Sequence, residues 1–175
     1  MSETQTGVRV ALAAAGSANV ATGLTLLDHL VAELVRTARF KLSLEVAPGS
    51  ADAVAAAAGE ALGEELAVLL AAPGAAASGW ALLPAEEALA LAAVETSERP
   101  LFVTNVDFSG QSVGGVATDV ASRFLRGLAE AAHLNLHVRL VEGTDPQHVL
   151  AAIFKAVGAA LGQACRPIPE AKEES

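Results

Sequence analysis

The chain repeats itself. Phe40, Leu42, Leu44 and Val46 alternate with more polar positions, and Leu134, Leu136, Val138 and Leu140 do the same 94 positions later. Period-2 alternation marks strands that lay one face on a core and turn the other outward. An amphipathic helix precedes each strand. Leu27-Asp28-His29-Leu30 leads into the first and Ala121-Ser122-Arg123-Phe124 into the second, with His29 and Arg123 each 11 positions ahead of the strand's first residue. A second, Ala-rich helix follows each strand. Asp52-Ala53-Val54 through Gly63-Glu64-Glu65-Leu66 can be laid on Gln147-His148-Val149 through Gly158-Ala159-Ala160-Leu161 at an offset of 95, although the alanines leave that register open by a turn. Such sequence has high helix propensity, and its small side chains permit close helix packing.

Further strands stand upstream: Gly7 to Leu12 and Asn19 to Gly23 in the first half, Glu87 to Thr96 and Leu101 to Phe108 in the second. Each half is therefore expected to run strand, strand, helix, strand, helix. Residues 1–83 form the first half-repeat with its connector, and residues 84–175 form the second with a C-terminal tail. The connector from Ala71 to Leu83 contains Ala-Ala-Pro-Gly and reads as loop, with Trp80 as a packing anchor. This order predicts an α+β fold in which each half lays two helices on one face of a small mixed sheet, and the halves bury their helices against each other. Gly110 to Gly115 lacks the lysine of a phosphate-binding loop and reads as a turn.

A chain of 175 residues can bury a sizeable core without disulfides or a structural metal. Hydrophobic residues make up 53% and charged ones 18%, which fits alanine richness and also burial between copies of the chain. A net charge of −9 with no basic stripe disfavours nucleic acid or an anionic membrane as partner. The single cysteine, Cys165, allows no internal disulfide and fits a reducing cytosol; it is expected in an exposed late segment as an inert thiol. Met1-Ser2-Glu3-Thr4 carries no signal-peptide pattern, and Pro73, Gly74 and Pro84 interrupt the apolar runs, so a soluble cytoplasmic protein is expected.

The words within the repeats, in order, resemble those of imidazoleglycerol-phosphate dehydratase. They are Glu3-Thr4, Thr22-Gly23-Leu24-Thr25-Leu26-Leu27-Asp28-His29-Leu30, Gly59-Glu60-Ala61-Leu62 and Pro84-Ala85-Glu86-Glu87-Ala88-Leu89. Ser97-Glu98-Arg99-Pro100, Leu136-His137-Val138, Gly143 and Ile153-Phe154-Lys155-Ala156 follow. The resemblance covers nearly the whole chain. It implies a duplicated half-domain fold of the ribosomal protein S5 domain 2-like kind, and dehydration of imidazoleglycerol phosphate in histidine biosynthesis. It further implies two manganese ions acting as Lewis acids and templates, held by imidazoles and carboxylates. It implies trimers formed through the sheets and a larger cage, of up to twenty-four subunits, locked by shared metal sites. Glu3 and Glu86 fall at the family's catalytic positions, and Arg99, Lys155 and Lys172 at its phosphate-holding ones.

The family's metal ligands come from a His-His-x-x-Glu word at the start of the second helix of each half and from one histidine in each first helix. Aligning on Gly59-Glu60-Ala61-Leu62 puts the first word on Pro48, Gly49 and Asp52, the preferred placement; the internal repeat puts it on Asp52, Ala53 and Ala56. The second word falls on Gln147, His148 and Ala151, and the first-helix positions on His29 and Arg123. Only His29 and His148 remain. Arg123 sets a fixed positive charge where a dication would sit, and an ion pair with an acidic residue such as Asp52 is expected in the metal's place. Glu170 stands where a phosphate-contacting hydroxyl would be, in a closing word that resembles the family's through Lys172.

The expected cofactor is therefore none, or manganese if the family site is partly retained. The leading expectation is a catalytically inactive, homo-oligomeric scaffold or regulatory homologue. The alternatives are an active dehydratase with a rebuilt site, and a phosphate-ester-binding protein that uses Arg99 and Lys155. Those two side chains are equally read as ion-pair partners, Lys155 with a carboxylate and Arg99 across a subunit boundary. His133, in a helix-to-strand turn, and His137, on an outward strand face, read as surface residues.

Overall fold

In the computed structural model, which describes residues 6–169, the first half runs β1 (Gly7–Leu12), β2 (Ser17–Ala21), α1 (Thr25–Ala38), β3 (Phe40–Glu45) and α2 (Ala51–Leu70). The second runs β4 (Ser78–Ala85), β5 (Ala88–Thr96), β6 (Leu101–Thr104), a small hairpin of β7 (Ser112–Val113) and β8 (Val116–Ala117), α3 (Asp119–Ala132), β9 (Leu134–Glu142) and α4 (Pro146–Ala164). The first sheet has the order β1-β3-β2 and the second β4-β5-β9-β6. Both are mixed: β3 pairs antiparallel with β1 and parallel with β2, and β9 pairs antiparallel with β5 and parallel with β6. The α+β duplication expected from the alternation is present.

The repeat extends to backbone detail. Helices α1 and α3 both stop at a residue in the left-handed region, Arg39 at φ 55° and His133 at φ 56°. That turn aims the next residue, Phe40 or Leu134, into the core, where each is fully buried. A left-handed conformation costs a non-glycine residue ~1–2 kcal/mol, so burial of the following strand must outweigh it. Helix α1 starts without a side-chain cap at Leu24; instead buried Thr22 donates its N–H (3.0 Å) and its hydroxyl (2.5 Å) to Asp28 Oδ1.

The core lies between the sheets. Helix α1 packs on α4 and α2 on α3, each contact joining the two halves. Glycines set how near the helices come. A Cβ on Gly63 would stand 2.7 Å from the Leu128 carbonyl oxygen, and one on Gly158 would stand 2.1 Å from that of Leu34. Leu34 and Leu128 are 94 apart, Gly63 and Gly158 are 95 apart, and so are the helix N-caps Ser50 and Asp145. These contacts fit the offset of 95 for the second helices. Phe124 and Phe154 meet at the centre with ring centroids 5.7 Å apart.

Three expectations need correction. Residues 78–83 are not loop: they begin β4, an edge strand where Pro84 lacks only an N–H that an edge can spare. Trp80 is no anchor within the chain, being 65% exposed on the outer face of that strand. Cys165 is buried, because α4 runs to Ala164 and carries the thiol beneath it. The Gly-rich segment is a turn as read, with Gly114 and Gly115 both at positive φ between β7 and β8. Among the described residues no helix is long and apolar enough to cross a membrane.

Candidate functional site

The most ordered polar constellation surrounds the start of α4. Asp145 caps the helix, accepting from the N–H groups of Gln147 (2.9 Å) and His148 (3.3 Å), and Pro146 follows at the first helical position. Glu87, from the β4–β5 hairpin, reaches the same point. Its Oε1 accepts from the Asp145 N–H at 2.9 Å and its Oε2 lies 2.5 Å from His148 Nδ1. The backbone N–H of Asp145, helped by the His148 imidazole, lowers the Glu87 carboxyl to about 2. The Glu87 carboxylate in turn raises His148 above its ordinary value. The pair is a histidine–carboxylate latch between hairpin and helix. Two turns further along α4, Lys155 Nζ donates to the Pro84 carbonyl at 2.6 Å, so its partner is a backbone oxygen and not a carboxylate.

The other family positions are spread about the molecule. His29 stands exposed on α1. Pro48 and Gly49 precede the N-cap Ser50, whose Oγ accepts from the Ala53 N–H, while Asp52 lies in the first turn of α2. By internal symmetry with α4 the alternative placement of the first ligand word, on Asp52, Ala53 and Ala56, lies in the first turns of α2, and neither placement recovers a histidine. Arg123 Nη2 is 3.8 Å from Asp52 Oδ2, joining α3 to α2 as the charge swap led one to expect. Both side chains are more than half exposed, so the pair contributes little to stability. Ala151 sits in α4 behind His148, and Glu86 holds the hairpin turn at φ 51°.

Arg99 lies in the β5–β6 turn, its N–H bonded to Ser97 Oγ. The hairpin that holds Lys155 is at the other end of the nine-residue strand β5, ~30 Å away at ~3.4 Å per residue. One chain does not bring Arg99 and Lys155 to a single phosphate. Glu3, Glu170 and Lys172 lie outside the described residues. His133 is the αL cap of α3 and His137 is exposed on β9, the surface positions expected.

The donor set does not fit the two manganese ions of the resembled family. Its eight positions offer two imidazoles, one carboxylate and one amide here, beside a guanidinium. Asp52 already faces Arg123, and His148 already holds Glu87. Among the described residues no three His, Cys, Asp or Glu side chains gather where they could hold a metal ion.

Sequence reasoning missed Glu87 and Asp145 as a unit. The Asp-Pro step at 145–146 is a helix-start signal that could have located the cap; the hairpin contact leaves no local pattern. It also missed the neighbouring cavity of about 220 Å³, bounded by Asn105, Gln111, Thr118 and Thr144. Buried Thr118 closes its floor, donating to the carbonyls of Phe108 and Gln111.

Comparison with known proteins agrees with this architecture. The model of the imidazoleglycerol-phosphate dehydratase family matches residues 22–161. The imidazoleglycerol-phosphate dehydratase of Desulforudis audaxviator is 36% identical over 93% of this chain and 86% of its own length. That of Desulfitobacterium hafniense is 36% identical over 95% and 87%. The crystal structure of imidazoleglycerol-phosphate dehydratase from Staphylococcus aureus superposes with a TM-score of 0.86 at 27% identity, over 95% of this chain and 96% of that one. With ordered likeness over almost its full length, the chain belongs to the imidazoleglycerol-phosphate dehydratase family.

Proposed function

We propose that this protein is a non-catalytic, homo-oligomeric member of its family, kept for its fold as a scaffold or regulator in histidine biosynthesis. The observation that carries this reading is Arg123. Its guanidinium stands at a family histidine position, cannot be deprotonated, and faces the one carboxylate that either placement of the first ligand word retains. Metal-assisted loss of water needs a Lewis acid at the reacting group, and the donors for it are mostly replaced.

A second reading has a specific observation in its favour: relatives that match almost the whole chain are themselves named as dehydratases. Those names speak for an active dehydratase with a rebuilt site more than for loss of activity. Oligomerisation is supported by the separation of Arg99 from Lys155, which could meet over one phosphate ester only if two copies contribute.

Purified protein supplied with manganese and imidazoleglycerol phosphate decides between the readings. No turnover, no rescue of a histidine auxotroph lacking the dehydratase and no stoichiometric manganese by elemental analysis are expected. Turnover above a mock preparation establishes the second reading. Thermal stabilisation by phosphate esters without turnover assigns the pocket to ligand binding.

A further inference from the structure

Between β6 and α3 lies an open groove of about 710 Å³, within the roughly 300–1,000 Å³ usual for small-molecule sites. Neither Arg99 nor Lys155 lines it. One wall is a single stripe of α3. Asp119, Ser122, Arg123 and Arg126 follow one another at helical spacing, which puts all four on one face. The facing wall is apolar, made by Phe102 on β6 and by Val106 and Phe108 in the segment that follows it.

The charged groups of this groove are only half engaged. The Arg126 guanidinium carbon stands 5.8 Å from the centroid of the Phe102 ring, so the ring takes its flat face and leaves the N–H groups of its edge to other partners. Among the described residues no carboxylate comes within ion-pair distance of Arg126. A guanidinium edge is the surface that takes a carboxylate through two parallel bonds. Asp119 stands one turn before Arg123, the spacing of a helical ion pair, but Arg123 turns instead to Asp52, 3.8 Å away on α2. Asp119 is thus left, among the described residues, with no cation at ion-pair distance. Across the groove the hydroxyl and N–H of Ser109 both donate to Asp107 Oδ1, at 2.6 and 2.9 Å, and hold its carboxyl below the ordinary value. Its second oxygen is open to a donor from a ligand.

We propose that this groove binds a free α-amino acid with an apolar side chain. Arg126 takes the ligand's carboxylate at its edge, Asp119 and Asp107 take the ammonium, and Phe102, Val106 and Phe108 take the side chain. Asp119 and Arg126 are ~10 Å apart along the helix at ~1.5 Å per residue. Long helical side chains lean back towards the N-terminus, so Arg126 shortens that gap to the reach of a small zwitterion. A phosphate ester suits the groove poorly, because two carboxylates line it beside the arginines; a ligand that carries both charges meets no such conflict. The proposal goes beyond the reading of the chain as non-catalytic and holds whether or not the chain turns over a substrate.

Calorimetric titration of the full chain with each of the standard amino acids tests it. The deaminated acid and the decarboxylated amine of the tightest binder, and inorganic phosphate, serve as controls. At least one apolar amino acid is expected to bind saturably, and its two single-charge analogues at least tenfold more weakly. Arg126→Gln and Asp119→Asn are each expected to weaken binding at least tenfold; both side chains are exposed, so neither change removes core packing. Binding by no amino acid overturns the proposal, as does binding that both variants retain. Phosphate that binds as tightly as the amino acid, and tighter still in Asp119→Asn, overturns it in favour of an anion site. None of these outcomes depends on manganese or on turnover, so a failure here is distinguishable from a failure of the non-catalytic reading.

Discussion

Arg166, just beyond the end of α4, donates through Nη2 to the carbonyl of Arg39, the left-handed cap of α1, at 2.7 Å. The same guanidinium reaches the carbonyls of Ala38 (2.8 Å), Gly162 (2.9 Å) and Ala13 (3.2 Å). A planar five-donor fork thus satisfies the orphan carbonyls of two helix ends, one from each half, and the exit of β1. Its positive charge also suits both helix C-termini. Arg166→Ala is expected to destabilise the fold by about 2–3 kcal/mol, the scale of losing charged hydrogen bonds to partly buried acceptors. Arg166→Lys recovers only part, since a lysine cannot span four carbonyls. Urea unfolding of the three proteins measures the difference.

Close approach of the helices predicts a graded glycine series. An alanine Cβ at position 158 would meet the Leu34 carbonyl oxygen at 2.1 Å and Thr37 Oγ1 at 2.3 Å, whereas at position 49 its nearest neighbour is a Val54 methyl at 3.7 Å. Gly158→Ala is expected to cost about 1–3 kcal/mol or more by overpacking, and Gly49→Ala to be close to neutral. Thermal melts that show equal effects would mean the helix pair separates more easily than its contacts imply.

The hairpin latch has a pH window. Because Glu87 is lowered to about 2, its contribution is complete above its unfolded value near 4.5 and is lost as the pH falls towards 2. Because His148 is raised, its contribution is complete below its unfolded value of 6.5 and is lost as the pH rises through the higher folded value. The gap in melting temperature between the parent and His148→Ala is therefore expected to be widest between about pH 4.5 and 6.5, narrowing on either side. A gap independent of pH would make the contact one of packing alone.

Burial pushes the Cys165 thiol up to about 11, and the neighbouring Arg166 offsets this only slightly. Little thiolate exists at neutral pH, and access is closed. The native protein is expected to react with a thiol reagent at least a hundredfold more slowly than the urea-unfolded chain. Equal rates would show that the end of α4 frays in solution.

What could be read from the residues followed local pattern. The strand from Phe40 and its copy from Leu134 were legible because one buried face imposes alternation, and α1 and α3 because their apolar faces recur at helical spacing. Strand β4 was not legible. Gly79 and Pro84 interrupt it, and its Trp80 and Leu82 face outward, so the residues that usually announce burial stand on the exposed side. The register of α2 on α4 was ambiguous among alanines until the caps Ser50 and Asp145 and the contacts of Gly63 and Gly158 fixed it. At the site, His29, His148 and Arg123 could be placed only through family likeness. The Glu87–His148 latch and the Arg166 clamp join residues 61 and 127 positions apart, and such contacts leave no mark in any short window.

The cross-half pairing of α1 with α4 and α2 with α3 bears on how such a chain could have arisen. A single half would present two helices whose buried faces need the helices of another half, with glycines already shaped for them. Two identical halves related by a twofold axis would meet that need as a dimer before any fusion joined them. Joining them would free each copy to change alone, and the outer strand positions do differ between the halves: Lys41 against Asn135, Glu45 against Arg139. The shared interior holds both copies to one shape, while each exterior is free to acquire its own partner.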